Sequence, residues 1–259
     1  MPLFTHIVPK FEKGRILKTA MLENLRDFPR EYADIYYRDY ADGIITGANI
    51  EVGEEALTIT PGIIKYNGRL YLLNQSATVA YQATGRETVV KIRFDEGTTD
   101  SDWSIYRSDI VMDEHIEPQP SELELCRFKL KEGAKLRQDY QNFRDLVTEY
   151  NTVNLLHVRF AAYGQSTVSP FIMRYFGDEL LRRGSNEPQD IAFAMMCLNE
   201  GTLNRKVITH YIANRLGIPN KDYTHVEIHK HLARILESAR GGGGRMGMSP
   251  GGSLRVIVD

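Results

Sequence analysis

The chain has 259 residues, of which 42% are hydrophobic, so it is long enough to bury the core of one large domain or two small ones. Its 32 Lys and Arg residues nearly balance its 34 Asp and Glu residues, and the formal net charge is -2. This balance excludes a general electrostatic attraction to nucleic acid or to anionic lipid.

The two cysteines and the chain's hydropathy indicate an intracellular protein. Cys126 and Cys197 both have apolar neighbours and are too far apart to form a CxxC pair, so we expect reduced core residues. The sequence contains neither a charged start followed by an apolar stretch nor a run of about 18 apolar residues. We therefore expect a soluble protein that is made in the cytoplasm without a signal peptide.

The first predicted helix covers residues 15–28. Leu17, Met21, Leu25 and Phe28 recur at the spacing of an amphipathic helix, and Pro29 is expected to end it.

A second helix is predicted to begin at Pro29, because proline is favoured in the first helical turn. It would carry Tyr32, Tyr36 and Tyr40 four residues apart and end at Gly43. Two consecutive amphipathic helices ahead of a small domain cannot both be sheltered by it, so residues 1–42 are interpreted as docking helices. The predicted protein-interface residues here are Leu17, Met21, Leu25, Tyr32, Tyr36 and Tyr40.

Residues 43–132 are predicted to form a small antiparallel β-module of about six or seven short strands, because short β-branched runs alternate with turns. Its clearest turn is Asn67-Gly68, since both central residues of a type I′ turn need positive φ. The runs KIRF and ELCRFKL alternate apolar and polar residues, which predicts a sheet with one solvated face.

Residues 133–240 are predicted to form a helical domain that starts with a long helix. Leu136, Phe143, Tyr150 and His157 recur every seven residues, which is typical of a helical seam. Packing of this helix on its own domain is favoured over docking on a partner.

Four shorter helices are predicted to follow. They begin at Ser169-Pro170, at Pro188, at residue 203 and at a Thr224/Glu227 capping box, and the last runs to about residue 240.

The final segment, residues 241–259, combines a Gly-rich linker with the strand-like hexamer LRVIVD. A tethered strand can pair with its own β-module or add to the sheet of a neighbouring subunit, and both alternatives stay open. The predicted interface residues in this segment are Leu254, Val256 and Val258.

Candidate residues for chemistry are few. His225, His229 and His231 lie near Glu227, but their order does not match the metalloprotease pattern, and histidines on a solvated helix are the favoured interpretation. The sequence contains no phosphate-binding Gly-rich loop and no nucleophile elbow. We predict no catalytic residue, no cofactor and no metal, and hence a protein that is not an enzyme.

Two binding functions remain as alternatives. Aromatic residues of the β-module could stack on sugars if they shared an exposed face, as in a carbohydrate-binding module; they are Tyr66, Tyr71, Trp103 and Tyr106. The helices at 188–200 and 203–216 could form a helix-turn-helix that contacts DNA, but a plain helical hairpin is favoured. The side chains for such contacts would be Asn204, Arg205, Lys206 and Asn214.

One stretch resembles a known family. The segment FEKGRILKTAMLENL and the motifs DGIITG and TITPGIIKYNGRLY resemble baseplate and tail-fibre attachment proteins of contractile phage tails and of related particles such as R-type bacteriocins. The match covers about residues 11–75 and is structural rather than catalytic. FIMRYFGDELL and DIAFAMMCLNEG look like a helical domain of the same class.

The resemblance implies a structural subunit that joins a baseplate core to a receptor-binding fibre. It would be assembled into a virion or tailocin in several symmetry-related copies. Other baseplate subunits and the fibre would be its partners, with neither nucleic acid nor membrane among them. The predicted fold is α+β, with N-terminal amphipathic helices, an antiparallel β-module, a long helix and a C-terminal helical domain whose flexible tail ends in a strand.

Overall fold

The computed structural model describes residues 3–239, and within them the α+β class is confirmed. The helices are α1 (Thr19–Tyr36), α2 (Pro170–Arg182), α3 (Pro188–Asn199), α4 (Arg205–Leu216), α5 (His225–Ser238) and a short 3-10 helix, Phe143–Val147. The predicted tail strand, 254–258, lies outside the described residues. No helix within the described range is long and apolar enough to cross a membrane.

The strands fall between residues 43 and 129. They are β1 (Gly43–Gly47), β2 (Ile50–Val52), β3 (Ala56–Ile59), β4 (Gly62–Tyr66), β5 (Arg69–Leu73), β6 (Ala77–Ala80), β7 (Glu87–Phe94), β8 (Thr98–Thr99), β9 (Ser104–Ile105), β10 (Ser108–Asp113) and β11 (Glu122–Lys129). All pairings among these strands are antiparallel. They form three three-stranded sheets, β1-β4-β5, β2-β3-β6 and β10-β7-β11, and a β8-β9 hairpin.

The β-region has eleven strands, more than the six or seven that the sequence predicted, and a broken apolar run accounts for one of the additional strands. IITGANIEV was expected to be a single strand, but Gly47 (φ 63°) and Ala48 (φ 50°) turn the chain and separate β1 from β2. The predicted Asn67-Gly68 turn is confirmed, with positive φ at both residues (47° and 72°), and it joins β4 to β5.

The predicted solvated face of the sheet is wrong for β7 and β11. Val90 and Ile92 point into the β-core, but Lys91 on the opposite face is only 1% exposed. Its ammonium lies 3.2 Å from the Glu122 carboxylate and 2.8 Å from Asp113. Matched charges can be buried in this way because each has an opposite partner, whereas an unpaired charge could not.

The predicted long helix from residue 133 is wrong. Asn151 has a left-handed φ of 59°, and Asn154 exchanges backbone hydrogen bonds of 2.8 and 3.0 Å with Arg127 of β11. The backbone therefore follows the sheet edge. Leu136 packs in the β-core while Phe143 packs in the helical core, so the seven-residue spacing does not mark one seam.

Helices α2–α5 enclose the second core. Phe176, Leu180, Ile212 and Leu232 are each fully buried in it, and the Thr224/Glu227 capping box at the start of α5 is confirmed. Cys126 in the β-core and Cys197 here are both buried and free, as predicted. The domain boundaries after residues 42, 132 and 240 stay predictions.

The predicted division of the N-terminal segment into two helices is wrong. Thr19–Tyr36 form one helix with Pro29 inside it. Proline lacks the N–H that would bond the carbonyl of Leu25, and its ring crowds that carbonyl, which costs about 3 kcal/mol in a helix interior. Its fixed φ is nevertheless helical, and the backbone stays helical on both sides of Pro29. The helix also starts later than predicted, leaving Leu17 ahead of it.

We expect Gly47→Ala to destabilise the β-module far more than Gly68→Ala. A Cβ at Gly47 would lie 2.0 Å from the Pro61 carbonyl oxygen, whereas one at Gly68 has no atom within 4 Å. Both have positive φ, so the clash is the difference between them. Urea denaturation should show a loss of more than about 3 kcal/mol for Gly47→Ala and roughly 1 kcal/mol for Gly68→Ala. Equal losses would contradict the close packing of this turn.

Candidate docking surface

Helix α1 presents an apolar face that the rest of the described chain does not cover. None of its residues is buried. The side chains of this face are half or more exposed, from 50% for Phe28 to 63% for Tyr32, apart from the partly buried Met21. We call the set the docking stripe: Met21, Leu25, Phe28, Tyr32, Ile35 and Tyr36. Contiguous exposed apolar surface of this kind marks interaction sites.

The structure brings four of the six predicted N-terminal interface residues onto this face. Met21, Leu25, Tyr32 and Tyr36 lie on α1, but Leu17 precedes the helix. Tyr40 lies beyond the helix, is partly buried and bridges to Tyr163.

Tyr32, Tyr36 and Tyr40, which were predicted to recur every four residues on one helix, stack on one another although the helix ends before Tyr40. The ring centroids of Tyr32 and Tyr36 are 6.0 Å apart, and those of Tyr36 and Tyr40 are 6.5 Å apart. Sequence reasoning placed Phe28 on the apolar face without naming it as a contact, and it missed Ile35. Both could have been found by continuing the apolar spacing of residues 21–28 through Pro29.

The C-terminal end of α1 is held by one buried side chain, Lys65 of β4. Its ammonium donates hydrogen bonds to the carbonyl oxygens of Tyr37 (2.5 Å), Arg38 (2.9 Å) and Tyr40 (2.6 Å). Lys65 is only 6% exposed. All three of its N–H donors are thereby used. The carbonyls at a helix C-terminus carry partial negative charge, so a cation is favoured there.

The chain that follows α1 is fastened to a distant segment, residues 159–164. Ala41 N–H donates to the Ala162 carbonyl (3.0 Å), and Gly164 N–H donates to the Asp39 carbonyl (2.8 Å). Ile44 bonds the same segment through both its N–H and its carbonyl. We call the region formed by residues 37–44, 62–67 and 159–164 the junction. It joins α1, the β-module and the chain that leads to the helical core.

The close backbone approaches at the junction require glycine. A Cβ at Gly43 would lie 2.7 Å from the Arg159 carbonyl oxygen, and one at Gly62 would lie 2.3 Å from the Ala48 nitrogen. Asp42 contributes a carboxylate oxygen that accepts the Asn67 N–H (3.1 Å) and so holds the β4-β5 turn. The motifs DGIITG and TITPGIIKYNGRLY thus supply Asp42, Gly43, Gly62 and Lys65 of the junction.

Sequence reasoning missed Lys65. In the run GIIKY a lysine reads as an ordinary polar residue on a solvated face, and both it and Ile64 are buried. The one signal that could have identified it is its position inside the motif, between the Pro61-Gly62 pair and the Asn67-Gly68 turn.

The histidines of α5 do not form a solvated cluster, and that interpretation is wrong. His229 is buried and donates Nε2–H to the Phe143 carbonyl (2.9 Å). His225 donates Nδ1–H to the Leu156 carbonyl (2.9 Å), and burial together with nearby Arg205 lowers its pKa to about 4. The two imidazoles therefore bond different parts of the chain and do not form a common site. Among residues 3–239, no three potential metal ligands come together.

An open cleft of about 570 Å³ lies beside the start of α5. It is lined by His157, Arg159, Arg205 and His225, with Asp222 as its acidic member. The Asp222 carboxylate lies 2.7 Å from the Arg205 guanidinium, which offsets part of the positive charge.

Two of the four residues of the helix-turn-helix alternative, Asn204 and Arg205, are engaged within the chain, whereas Lys206 and Asn214 are exposed. Asn204 caps α4 by accepting the Lys206 N–H (2.9 Å). Arg205 pairs with Asp222 and donates to the Tyr223 carbonyl. Neither side chain projects freely toward a base edge.

The aromatics of the carbohydrate alternative do not share an exposed face. The Tyr66 ring stacks on Phe94 at 4.0 Å, and Tyr71 packs edge-on against the same ring at 4.8 Å. Arg69 covers Tyr106 at 3.9 Å from its centroid, and Trp103 is the strongly exposed member at 70%.

Comparison with known proteins gives distant structural likenesses only. No protein-family model matches the chain, and no curated protein matches its sequence. A solved chain of the TssK-TssF-TssG baseplate subcomplex of a type VI secretion system is 11% identical, with a TM-score of 0.41, over 91% of this chain and 100% of that one. A crystal structure of TssK is 10% identical, with a TM-score of 0.43, over 92% of this chain and 70% of that one.

A chain of the type VI secretion baseplate complex is 11% identical, with a TM-score of 0.32, over 90% of this chain and 100% of that one. At these TM-scores the likeness assigns neither a family nor a function to the chain.

We expect Lys65→Met to loosen the attachment of α1. The substitution keeps the aliphatic stem but leaves three carbonyl oxygens without their donor, so the free energy of unfolding should fall by about 2–4 kcal/mol. Hydrogen exchange of the amides of residues 33–40 should accelerate beyond that global loss. Lys135→Met is the matched control, because Lys135 is exposed. If the two variants behaved alike, Lys65 would not be the anchor.

Proposed function

We propose that this chain is a structural, non-enzymatic subunit of the baseplate of a contractile phage tail or a tailocin-like particle. It would join the baseplate core to a receptor-binding fibre through protein–protein contacts, and α1 would be its main docking element. The proposal agrees in kind with the baseplate proteins named among the solved structures, but no step of it depends on that likeness.

The observation that carries the proposal is the combination of an anchored helix with an uncovered apolar face. The junction fixes where α1 leaves the body, through Lys65 and the paired segments 39–44 and 159–164. The docking stripe nevertheless stays exposed, apart from the partly buried Met21. In proteins most helical stability comes from packing of an apolar face, and Pro29 inside this 18-residue helix weakens it further, so α1 needs a contact for that face.

The resemblance of the sequence motifs to a known family is the basis for the kind of assembly that we propose. The motifs that resemble baseplate and tail-fibre attachment proteins, DGIITG and TITPGIIKYNGRLY, supply the residues that build the junction. Their physical role is to hold α1 in a fixed orientation relative to the β-module. A rigid module that presents a helix to a neighbour suits a subunit of a symmetric particle.

A second contact is proposed for the tail. The hexamer LRVIVD follows a Gly-rich linker and lies outside the described residues. It could add to a sheet edge of its own β-module or of a neighbouring subunit, and β5, β6 and β10 are outermost strands of their sheets.

Particles assembled with altered α1 test the proposal. We expect Leu25→Ser combined with Tyr32→Ser to lower the number of copies per particle at least about tenfold, because exposed apolar anchors dominate binding. The matched control is Glu23→Ser with Arg30→Ser, on the charged face of the same helix. Quantitative mass spectrometry of purified particles gives the copy number, and thermal unfolding should be unchanged in both variants.

Normal incorporation of the stripe variant would refute docking through α1. In the same assay, deletion of residues 246–259 is expected to leave the fold intact and to weaken assembly. Normal particles from that deletion would remove the contribution of the tail alone.

A further inference from the structure

The open cleft beside α5 lies between two parts of the chain that are distant in sequence. One side is formed by residues of the segment 157–166, and the other by Arg205 of α4 together with the residues that lead into α5. Among the described residues that line it, Val226 is the one apolar side chain. Small-molecule pockets are lined mainly by apolar side chains, so this cleft is better suited to a charged group that a larger partner presents. We call it the basic cleft, after His157, Arg159, Gln165, Ser166, Arg205 and His225.

Three polar side chains of the basic cleft have no partner within residues 3–239. Arg159 is exposed, and its guanidinium forms neither an ion pair nor a hydrogen bond with any of these residues. Gln165 and Ser166 are partly buried, and their side chains form no hydrogen bond within the same range. A guanidinium, an amide and a hydroxyl all carry hydrogen-bond donors. The cleft therefore offers donors that the acceptor oxygens of a ligand can use.

The charge of the basic cleft suits one carboxylate. Burial lowers the pKa of His157, and it lowers the pKa of His225 to about 4, so both imidazoles are neutral near pH 7. Asp222 offsets Arg205, which leaves Arg159 as the uncompensated charge among the described residues that line the cleft. A nucleic-acid backbone instead needs several cations along its length, and Asp222 would repel its successive phosphates.

We propose that the basic cleft binds the carboxylate of an aspartate or glutamate that a neighbouring subunit presents. Arg159 pairs with the carboxylate oxygens, because a guanidinium matches a carboxylate with two parallel hydrogen bonds. Gln165 and Ser166 supply further donors in the same cleft. This inference rests on the proposed function, since it names the chemistry of one contact between subunits.

Carbodiimide coupling tests the contact. The variant Arg159→Lys places an amine in the cleft, and a carbodiimide joins that amine as an amide to a carboxylate that touches it. The matched control is Arg174→Lys, because Arg174 is also exposed and has no ion pair among the described residues. We expect coupling to an Asp or Glu of another chain at least about tenfold above the control, since a held pair reacts at a high effective concentration. Thermal unfolding should be unchanged in both variants.

Peptide mass spectrometry of purified particles, and of the lysate from which they are made, identifies the coupled residue. Coupling no higher than in the control, or coupling to Asp222 of the same chain alone, would overturn the proposal. Coupling in the lysate to a chain that is not part of the particle would keep the cleft contact and overturn the proposed function. Absence of intermolecular coupling from particles that contain the chain would overturn the cleft contact alone.

A nucleic-acid arm distinguishes a carboxylate from a phosphate. Fluorescence polarisation of a labelled single-stranded oligodeoxynucleotide should show no binding to the purified natural chain that depends on Arg159. Binding that is lost in Arg159→Gln and kept in Arg174→Gln would assign the cleft to phosphate and overturn the proposal.

Discussion

The three hydrogen bonds from the Lys65 ammonium to the end of α1 are the interaction on which the arrangement of this molecule depends. They connect a helix that has no buried residue to a strand in the β-module. Burying a lysine is costly unless every donor is used, and here every donor is used. The result is a helix whose C-terminal end is fixed while its apolar face is left uncovered.

The surrounding chain is shaped to allow that contact. Gly43 and Gly62 admit backbone where a side chain would collide, and the pairing of residues 39–44 with 159–164 closes the junction from the other side. The same segment leads on to the helical core, and Asn204 at the start of α4 donates to the Tyr163 carbonyl (3.2 Å). The junction therefore connects α1 to both cores of the described chain.

Local rules predicted the elements that depend on local chemistry. The Asn67-Gly68 turn, the Thr224/Glu227 capping box and the bounds of α2–α5 follow from turn residues, caps and glycine stops. The wrong predictions arose where tertiary contacts, rather than the local sequence pattern, determine the structure. The spacing from Leu136 to His157 imitates a helix, but its backbone bonds go to a sheet edge. Lys91 and Lys65 look like solvated strand residues, and partners distant in sequence bury both. Sequence reasoning found only part of the docking stripe, because Pro29 was expected to end a helix and the apolar spacing was not continued through it.

Hydrogen exchange along α1, compared between the purified chain at low concentration and the assembled particle, tests the central claim most directly. In the purified chain we expect the amides of residues 33–38 to be protected by the anchor and those of residues 19–28 to exchange rapidly. In the particle the whole helix should be protected, because its apolar face is then buried. Equal exchange of α1 in the two states would contradict an account in which this helix is the docking element.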